Sequence, residues 1–329
     1  MHVFVTGASG WIGSAVVPEL IGAGHQVLGL ARSDSSAAAI TATGAEVLRG
    51  DLDDLDTLRA GAASSDGVIH LAFNTAFTQI EASVQADARA IETMGAALEG
   101  SGKPLVIASG TPAVPGRVAT ERDEPGSGGP AGGRGANARA VLGLAAHGVR
   151  SSVVRLPRSV HGEGDHHGLI ARLIGIARDK GVSGYVGDGS SRWPAVHVLD
   201  AAHLFRLAAE QATAGSVLHA VADEGVPVRD FATVIGRHLD LPAASVPAED
   251  FGFLGMVLAV DQPASSVLTR ELLGWRPVQP GLIEDLDKGH YFARASASSS
   301  AAKPASGSSA DARDANRSNG RDAAGGRLR

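Results

Sequence analysis

Three glycines near the amino terminus, Gly7, Gly10 and Gly13 in TGASGWIG, are spaced for phosphate chemistry. They follow a short β-branched and aromatic run, Val3 to Val5, and lead into apolar residues at helical spacing, Ile12, Val16 and Leu20. In a strand, tight turn and helix of this kind, small residues permit the turn, let backbone approach a pyrophosphate, and let helix and strand pack closely. The helix N-terminus adds N–H donors and positive partial charge, with Ser9, Trp11 and Ile12 on the same turn. At the head of a βαβ run this is a dinucleotide signature. The second strand ends LARSD, so Ala31, Arg32 and Ser33 stand where a carboxylate would hold a ribose 2′-hydroxyl. Arg32 and the Ser33 hydroxyl suit a 2′-phosphate, which favours NADPH over NADH. The competing role for Arg32 is a solvated residue stacked on adenine.

A second concentration of reactive side chains is HGEGDHHG, with His161, Glu163, Asp165, His166 and His167. Its spacing matches no zinc helix motif and its glycines read as loop, so no metal is expected. A substrate-side loop is expected instead, with His161 as a candidate proton donor and His166 and His167 in solvent. Trp193 and His197, in RWPAVHVLDAA, are candidates for the substrate wall, Trp193 being equally suited to core packing. Asp200 reads as the N-cap of an amphipathic helix. The apolar run Phe251 to Val260 reads equally as a lid over a hydrophobic substrate and as core.

Positioning these groups requires a scaffold, and the apolar patterning supplies one. Short strands are predicted at Val3 to Val5, Gln26 to Leu30, Ala45 to Leu48, Gly67 to Leu71, Leu105 to Ala108 and Ser152 to Leu156, with helices between most of them. Continuous apolar strands alternating with helices imply an α/β fold, a Rossmann-type doubly wound parallel sheet, with a smaller C-terminal substrate lobe. The expected boundaries are 1–157 for the NADP-binding domain, with a return segment at 194–222. Residues 158–193 and 223–294 form the substrate lobe. Residues 295–329, nearly devoid of large apolar side chains, are expected to form a disordered tail.

Composition excludes several classes. The chain has 329 residues, 44% hydrophobic, enough for a large core, and its net charge of −6 gives no electrostatic footprint for nucleic acid. It has no cysteine, which removes disulfides, thiolate nucleophiles and Cys-ligated zinc. No export signal and no apolar run long enough to span a bilayer is read, so a cytoplasmic location, a hydrophobic small-molecule partner and no membrane partner are expected. Composition leaves the oligomeric state open, a homo-oligomer included.

Over about residues 1 to 292 the chain resembles the short-chain dehydrogenase/reductase superfamily, particularly its extended and atypical branches. The landmarks are TGASGWIG, GDLDD (Gly50 to Asp54), HLAF (His70 to Phe73), VRLPRSVHG (Val154 to Gly162) and RWPAVHVLDAA. The resemblance implies that Asp51 and Leu52 flank adenine, that Leu71, Ala72 and Phe73 line the middle of the cofactor, and that Leu156 lies beside it. It places Thr111, with Ser109 nearby, on the hydroxyl that holds the substrate carbonyl. The superfamily's Tyr-x-x-x-Lys pair is missing: the only tyrosines, Tyr185 and Tyr291, are followed four residues on by Gly189 and Ala295. Alignment sets Pro130 to Arg134 over the gap, in a Gly-rich stretch read as a loop before a helix at about Asn137. An intact NADPH loop without Tyr or Lys resembles the triad-lacking ketoreductases of aromatic polyketide (angucyclinone) antibiotic biosynthesis. The rival expectations are a nucleotide-sugar epimerase or dehydratase and a non-catalytic NADP sensor.

Overall fold

The computed structural model describes residues 1–73, 80–126 and 129–293, with backbone alone at 129–131. The expected tail at 295–329 lies outside the described residues. Strands β1 (His2–Thr6), β2 (Gln26–Ala31), β3 (Glu46–Arg49), β4 (Gly67–His70), β5 (Pro104–Gly110) and β6 (Arg150–Leu156) agree with the sequence reading to within two residues at each end. They are followed by β7 (Ser159–His161), β8 (Ser183–Tyr185), β9 (Arg192–His197), β10 (Ser216–His219), β11 (Asp223–Pro227) and β12 (Ala243–Ser245). The main sheet has seven strands in the order β10-β6-β5-β4-β1-β2-β3, all pairs parallel. Between β1 and β4 the strand order reverses, and open α/β sheets bind ligands at the strand carboxyl ends of that crevice.

Helices α1 (Gly13–Gly22), α2 (Asp34–Ala42), α3 (Leu55–Ser64), α4 (Ile80–Leu98) and α5 (Gly129–Gly143) cover the sheet. In the C-terminal half come α6 (Leu169–Lys180), α7 (Val198–Gln211), α8 (Val228–Leu239), α9 (Phe253–Leu258), α10 (Val267–Leu273) and α11 (Leu282–Asp287). On one face of the sheet Val16 and Leu20 of α1 meet Leu204 and Phe205 of α7. On the other, Leu58, Ile91, Met94 and Val141 pack on Phe4, Leu105 and Val153. Strands buried on both faces have to be apolar without alternation, as these are. Residues Met1–Ala293 form one compact unit. Within it a third core, built around Trp193, Phe231, Leu254 and Leu286, belongs to α6, α8, α9 and α11.

Two sequence expectations are corrected, and a third is divided. The Gly-rich stretch before Asn137 is not a loop, because α5 already begins at Gly129. Asp200 is not an N-cap: His197 caps α7, its Nδ1 accepting from the Leu199 N–H, while the Asp200 carboxylate is buried and accepts from the N–H groups of Val278 and Gln279, 3.0 Å each. The acid is needed for two orphan donors of a crossing segment. The Phe251 to Val260 run divides in two, with Phe251, Leu254 and Leu258 in the third core and Phe253, Met256 and Val260 exposed.

At the end of β10, buried His219 donates from Nδ1 to the Ser265 carbonyl (2.8 Å) and turns Nε2 toward Arg155 Nη1 (3.4 Å), the arrangement of a neutral ring. Burial pushes its pKa down from 6.5 to about 4. Between those values the unfolded chain binds a proton that the folded chain refuses, so stability falls as pH falls, by on the order of 1 kcal/mol per unit from this residue. Urea unfolding at pH 7, 6 and 5 should show that slope, and the His219 ring should remain unprotonated by NMR at pH 5.

Candidate functional site

The chain leaves β1 at Thr6 and turns at Gly7 with φ of 70°. A Cβ on Gly7 would lie 2.7 Å from the Ala72 nitrogen, and one on Gly13 would lie 2.1 Å from the Gly7 carbonyl oxygen. Both glycines are therefore fixed by backbone approach. Gly10 and Ser9 are exposed on the outer side of the turn. Helix α1 has no side-chain cap and no acid in its first turn, so its N–H groups and partial charge remain available to a phosphate. A dinucleotide pyrophosphate fits this cradle. Trp11, next to Ile12, donates from Nε1 to the Val160 carbonyl at 2.9 Å and ties the turn to the segment after β6.

At the adenosine end, Arg32 is exposed at the close of β2 and Ser33 caps α2 in a reciprocal capping box with Ser36. Arg49, which the sequence reading passed over, reaches across from β3 to the Ser33 carbonyl (2.7 Å) and the Asp34 carboxylate (2.6 Å). Its signal was its place at the end of the third strand, where pairing with β2 brings it beside the same turn. Arg32 and Arg49 thus both stand at the turn that follows β2. The Asp51 carboxylate shapes the following turn by accepting from the N–H groups of Asp53 and Asp54, with Leu52 half-buried between them.

The opposite end of the crevice rests on a buried polar line. Thr6 Oγ1 lies 2.6 Å from His70 Nδ1, His70 Nε2 lies 3.0 Å from Asp87 Oδ1, and Asn137 Nδ2 donates to Asp87 Oδ2 (2.6 Å) and to the Val84 carbonyl (3.0 Å). The Ala72 N–H completes it on Thr6 Oγ1 at 3.3 Å. Burial works to raise the Asp87 pKa, but the His70 and Asn137 hydrogen bonds hold it below the ordinary value. The line joins β1, β4, α4 and α5, and it orients both the Leu71 to Phe73 segment and the first turns of α5.

One turn before Asn137, Arg134 donates from Nη2 to the Ala108 carbonyl at 2.9 Å, and its guanidinium lies 4.2 Å from the Phe73 ring centre. A cation therefore stands at the carboxyl end of β5, in the Pro130 to Arg134 stretch that the resemblance sets over the missing pair. Ser109 and Thr111 are both buried there, and Leu156 accepts the Thr111 N–H at 3.0 Å. Gln262, unnoticed in the sequence, donates from Nε2 to the Thr111 carbonyl (2.5 Å) and toward its Oγ1 (3.4 Å), and accepts from Arg158 Nε. No local pattern marks Gln262; a backbone bond from Ala119 to Pro263 and another from Gln262 to Arg192 carry it in.

His161 is fully buried, with Nδ1 2.9 Å from Asp285 Oδ2, its ring edge-on to His197 at 5.4 Å, and no partner for Nε2 among the described residues. Burial and then His161 itself lower the His197 pKa. Trp193 is fully buried against Phe231. The structure thus gathers Ser109, Thr111 and Leu156 at one rim and sets His161, Trp193 and His197 in the packing behind it. Asp165 accepts from the His167 and Gly168 N–H groups ahead of α6, and the Tyr291 hydroxyl binds Asp165 and the Gly162 N–H. That tyrosine is spent on the loop rather than offered to β5.

Fold and site define a dinucleotide-binding α/β protein of the doubly wound class. The NAD dependent epimerase/dehydratase family model matches residues 3–221, and the chain belongs to that family, whose members are oxidoreductases and epimerases dependent on NAD(P). An uncharacterized protein of Schizosaccharomyces pombe is 46% identical over 89% of this chain and 100% of its own. The 4-hydroxy-2-methyl-3-oxo-4-farnesyl-3,4-dihydroquinoline-1-oxide ketoreductase of Stigmatella aurantiaca is 30% identical over 71% of this chain and 72% of its own. Among solved structures, UDP-glucose 4-epimerase of Thermotoga maritima shares the fold, with a TM-score of 0.74 at 20% identity over 89% of this chain and 98% of its own. No helix among the described residues is long and apolar enough to cross a membrane.

Replacing Asp87 by Ala removes the acceptor of two buried donors. It should cost about 3 kcal/mol in urea unfolding at neutral pH and weaken cofactor binding. Because the folded pKa of Asp87 is depressed, its contribution is complete above the ordinary carboxylate pKa and fades as pH falls through the folded value. The difference between wild type and variant should shrink accordingly in acid.

Proposed function

We propose that the protein is an NADPH-dependent ketoreductase of a hydrophobic, aromatic metabolite, working without the Tyr and Lys of its superfamily. The observation that carries this reading is Arg134 at the carboxyl end of β5, beside Phe73 and the Thr111 rim. Bound there, the cofactor supplies a hydride. The side chains supply orientation and charge: the guanidinium stabilises the negative charge that develops on the carbonyl oxygen, and the Thr111 hydroxyl, already receiving Gln262, has its own hydrogen free to donate. Arginine does not release its proton near neutral pH. With the candidate donor His161 buried on Asp285 behind the rim, the proton comes from ordered water or from an acidic hydroxyl on the substrate, as a phenol-flanked ketone or quinone provides.

Reduction of an aromatic polyketide ketone in antibiotic biosynthesis is one form of this reading. The fold shared with UDP-glucose 4-epimerase favours a second reading, a nucleotide-sugar epimerase or dehydratase. Against it stands the missing tyrosine base.

Deuteride from labelled NADPH should appear on a carbinol carbon when aromatic ketones and quinones are supplied, with Arg134→Met lowering kcat/KM about a hundredfold. NAD retained through purification and no external transfer would favour the epimerase reading, and saturable NADPH binding without any turnover a sensor. Arg32→Glu should weaken NADPH binding at least about tenfold by fluorescence titration and leave NADH nearly unchanged.

A further inference from the structure

Arg158 lies two residues past the end of β6, on the same crevice rim as Thr111. Its Nε donates to Gln262 Oε1, its Nη1 donates to the Val257 carbonyl, and its guanidinium sits 5.5 Å from the centre of the Trp193 ring. Every one of these partners is neutral. Burial pushes the pKa down to about 10, and no carboxylate offsets it. The neighbouring acid, Asp261, is spent on Arg192 at 2.8 Å.

Other half-buried arginines are accounted for. Arg206 pairs with Glu19 and Glu210. Arg155 lies among Asp123, Glu121 and Glu124, and Arg134 feels Asp87. Arg150 holds the last carbonyls of α7, at Ala209 and Ala212, where the helix dipole is negative. At Arg158, Nη2 has no protein partner among the described residues and is not among the sealed polar atoms, so it opens on free space. A buried charge left unpaired costs folding free energy. A purely structural role would be served better by a neutral side chain.

The Gln262 amide connects this cation to the reaction site: its oxygen receives Arg158 and its nitrogen reaches Thr111. An oxygen held at Thr111 is therefore separated from the guanidinium by little more than one amide group. We propose that Arg158 is an oxyanion subsite, its open Nη2 face binding an ionised oxygen acid carried by the substrate a few bonds from the carbonyl at Thr111. A carboxylate and an ionised enol or phenol share that chemistry. The inference rests on the ketoreductase reading for its geometry and adds the charge of the substrate.

The test pairs each acid with its methylated form. Binding of 3-oxodecanoate and its methyl ester, and of 2-hydroxy-1,4-naphthoquinone and its 2-methoxy counterpart, is measured by calorimetry on protein saturated with NADP. At least one acid should bind about tenfold or more tightly than its methylated partner. The pair that shows the preference identifies the anion as carboxylate or vinylogous acid. Arg158→Gln should abolish the preference and Arg158→Lys keep part of it, with unchanged NADPH titration reporting that each variant is folded. Equal binding of acid and methylated forms by the wild type overturns the proposal without any variant, and so does a preference that survives in Arg158→Gln. Deuteride transfer from labelled NADPH, on the same protein freed of NADP, separates the two readings. Acid preference without transfer sinks the ketoreductase and leaves the subsite; transfer without acid preference does the reverse.

Discussion

The buried line from Thr6 through His70 and Asp87 to Asn137 is the constraint on which the crevice depends. It places four polar side chains where the strand ends of a parallel sheet leave backbone and side-chain groups without water, and each needs a partner there. By linking the ends of β1 and β4 to α4 and α5, it sets the spacing between the phosphate turn and the helix that carries Arg134. The close approach of Gly7 to Ala72 needs the glycine's missing Cβ, and the Ala72 N–H is held on Thr6 at the same point. Remove one member and its neighbours are left as buried, unpaired polar groups, which is why the line behaves as one unit rather than as four contacts.

On that frame the reactive end of the crevice is assembled from groups that hold charge rather than transfer protons. A lysine lowers the pKa of a neighbouring tyrosine and takes part in its proton exchange; an arginine, with its charge fixed and its plane stacked on Phe73, can only stabilise and orient. Thr111 keeps a hydroxyl at the strand end, and Gln262 fixes which way its oxygen is approached. On the ketoreductase reading proposed above, such a set calls for a substrate that brings its own acidity. An electrostatic site of this kind is demanding of position and undemanding of pKa.

The C-terminal half completes the site through packing. Trp193, which the sequence offers equally as pocket wall and as core, and His161, its candidate proton donor, are drawn inward, one against Phe231 and the other onto Asp285. Their burial sets the backbone of the segments that do reach the rim, from Val160, which receives Trp11, to Arg158. An aromatic or a histidine in a loop-rich segment carries the same local signature whether it faces a ligand or a core. Only the sheet formed by β7, β9 and β11 decides between them.

The sequence by itself determined the elements whose signal is local. The glycine spacing of the phosphate turn, the apolar strands, the positive charge at the end of β2 and the absence of any Tyr-x-x-x-Lys can all be read within a few residues, because each is set by backbone sterics or by side chains close along the chain. Tertiary structure decided everything that required distant segments to meet. Gln262 reaches Thr111 across 151 residues and Asn137 reaches Asp87 across 50, and neither has a periodic pattern to announce it. The helical state of the glycine-rich start of α5 was hidden for a related reason: glycine disfavours helix on its own, and here Asn137 and Arg134, anchored on α4 and β5, hold the helix in place.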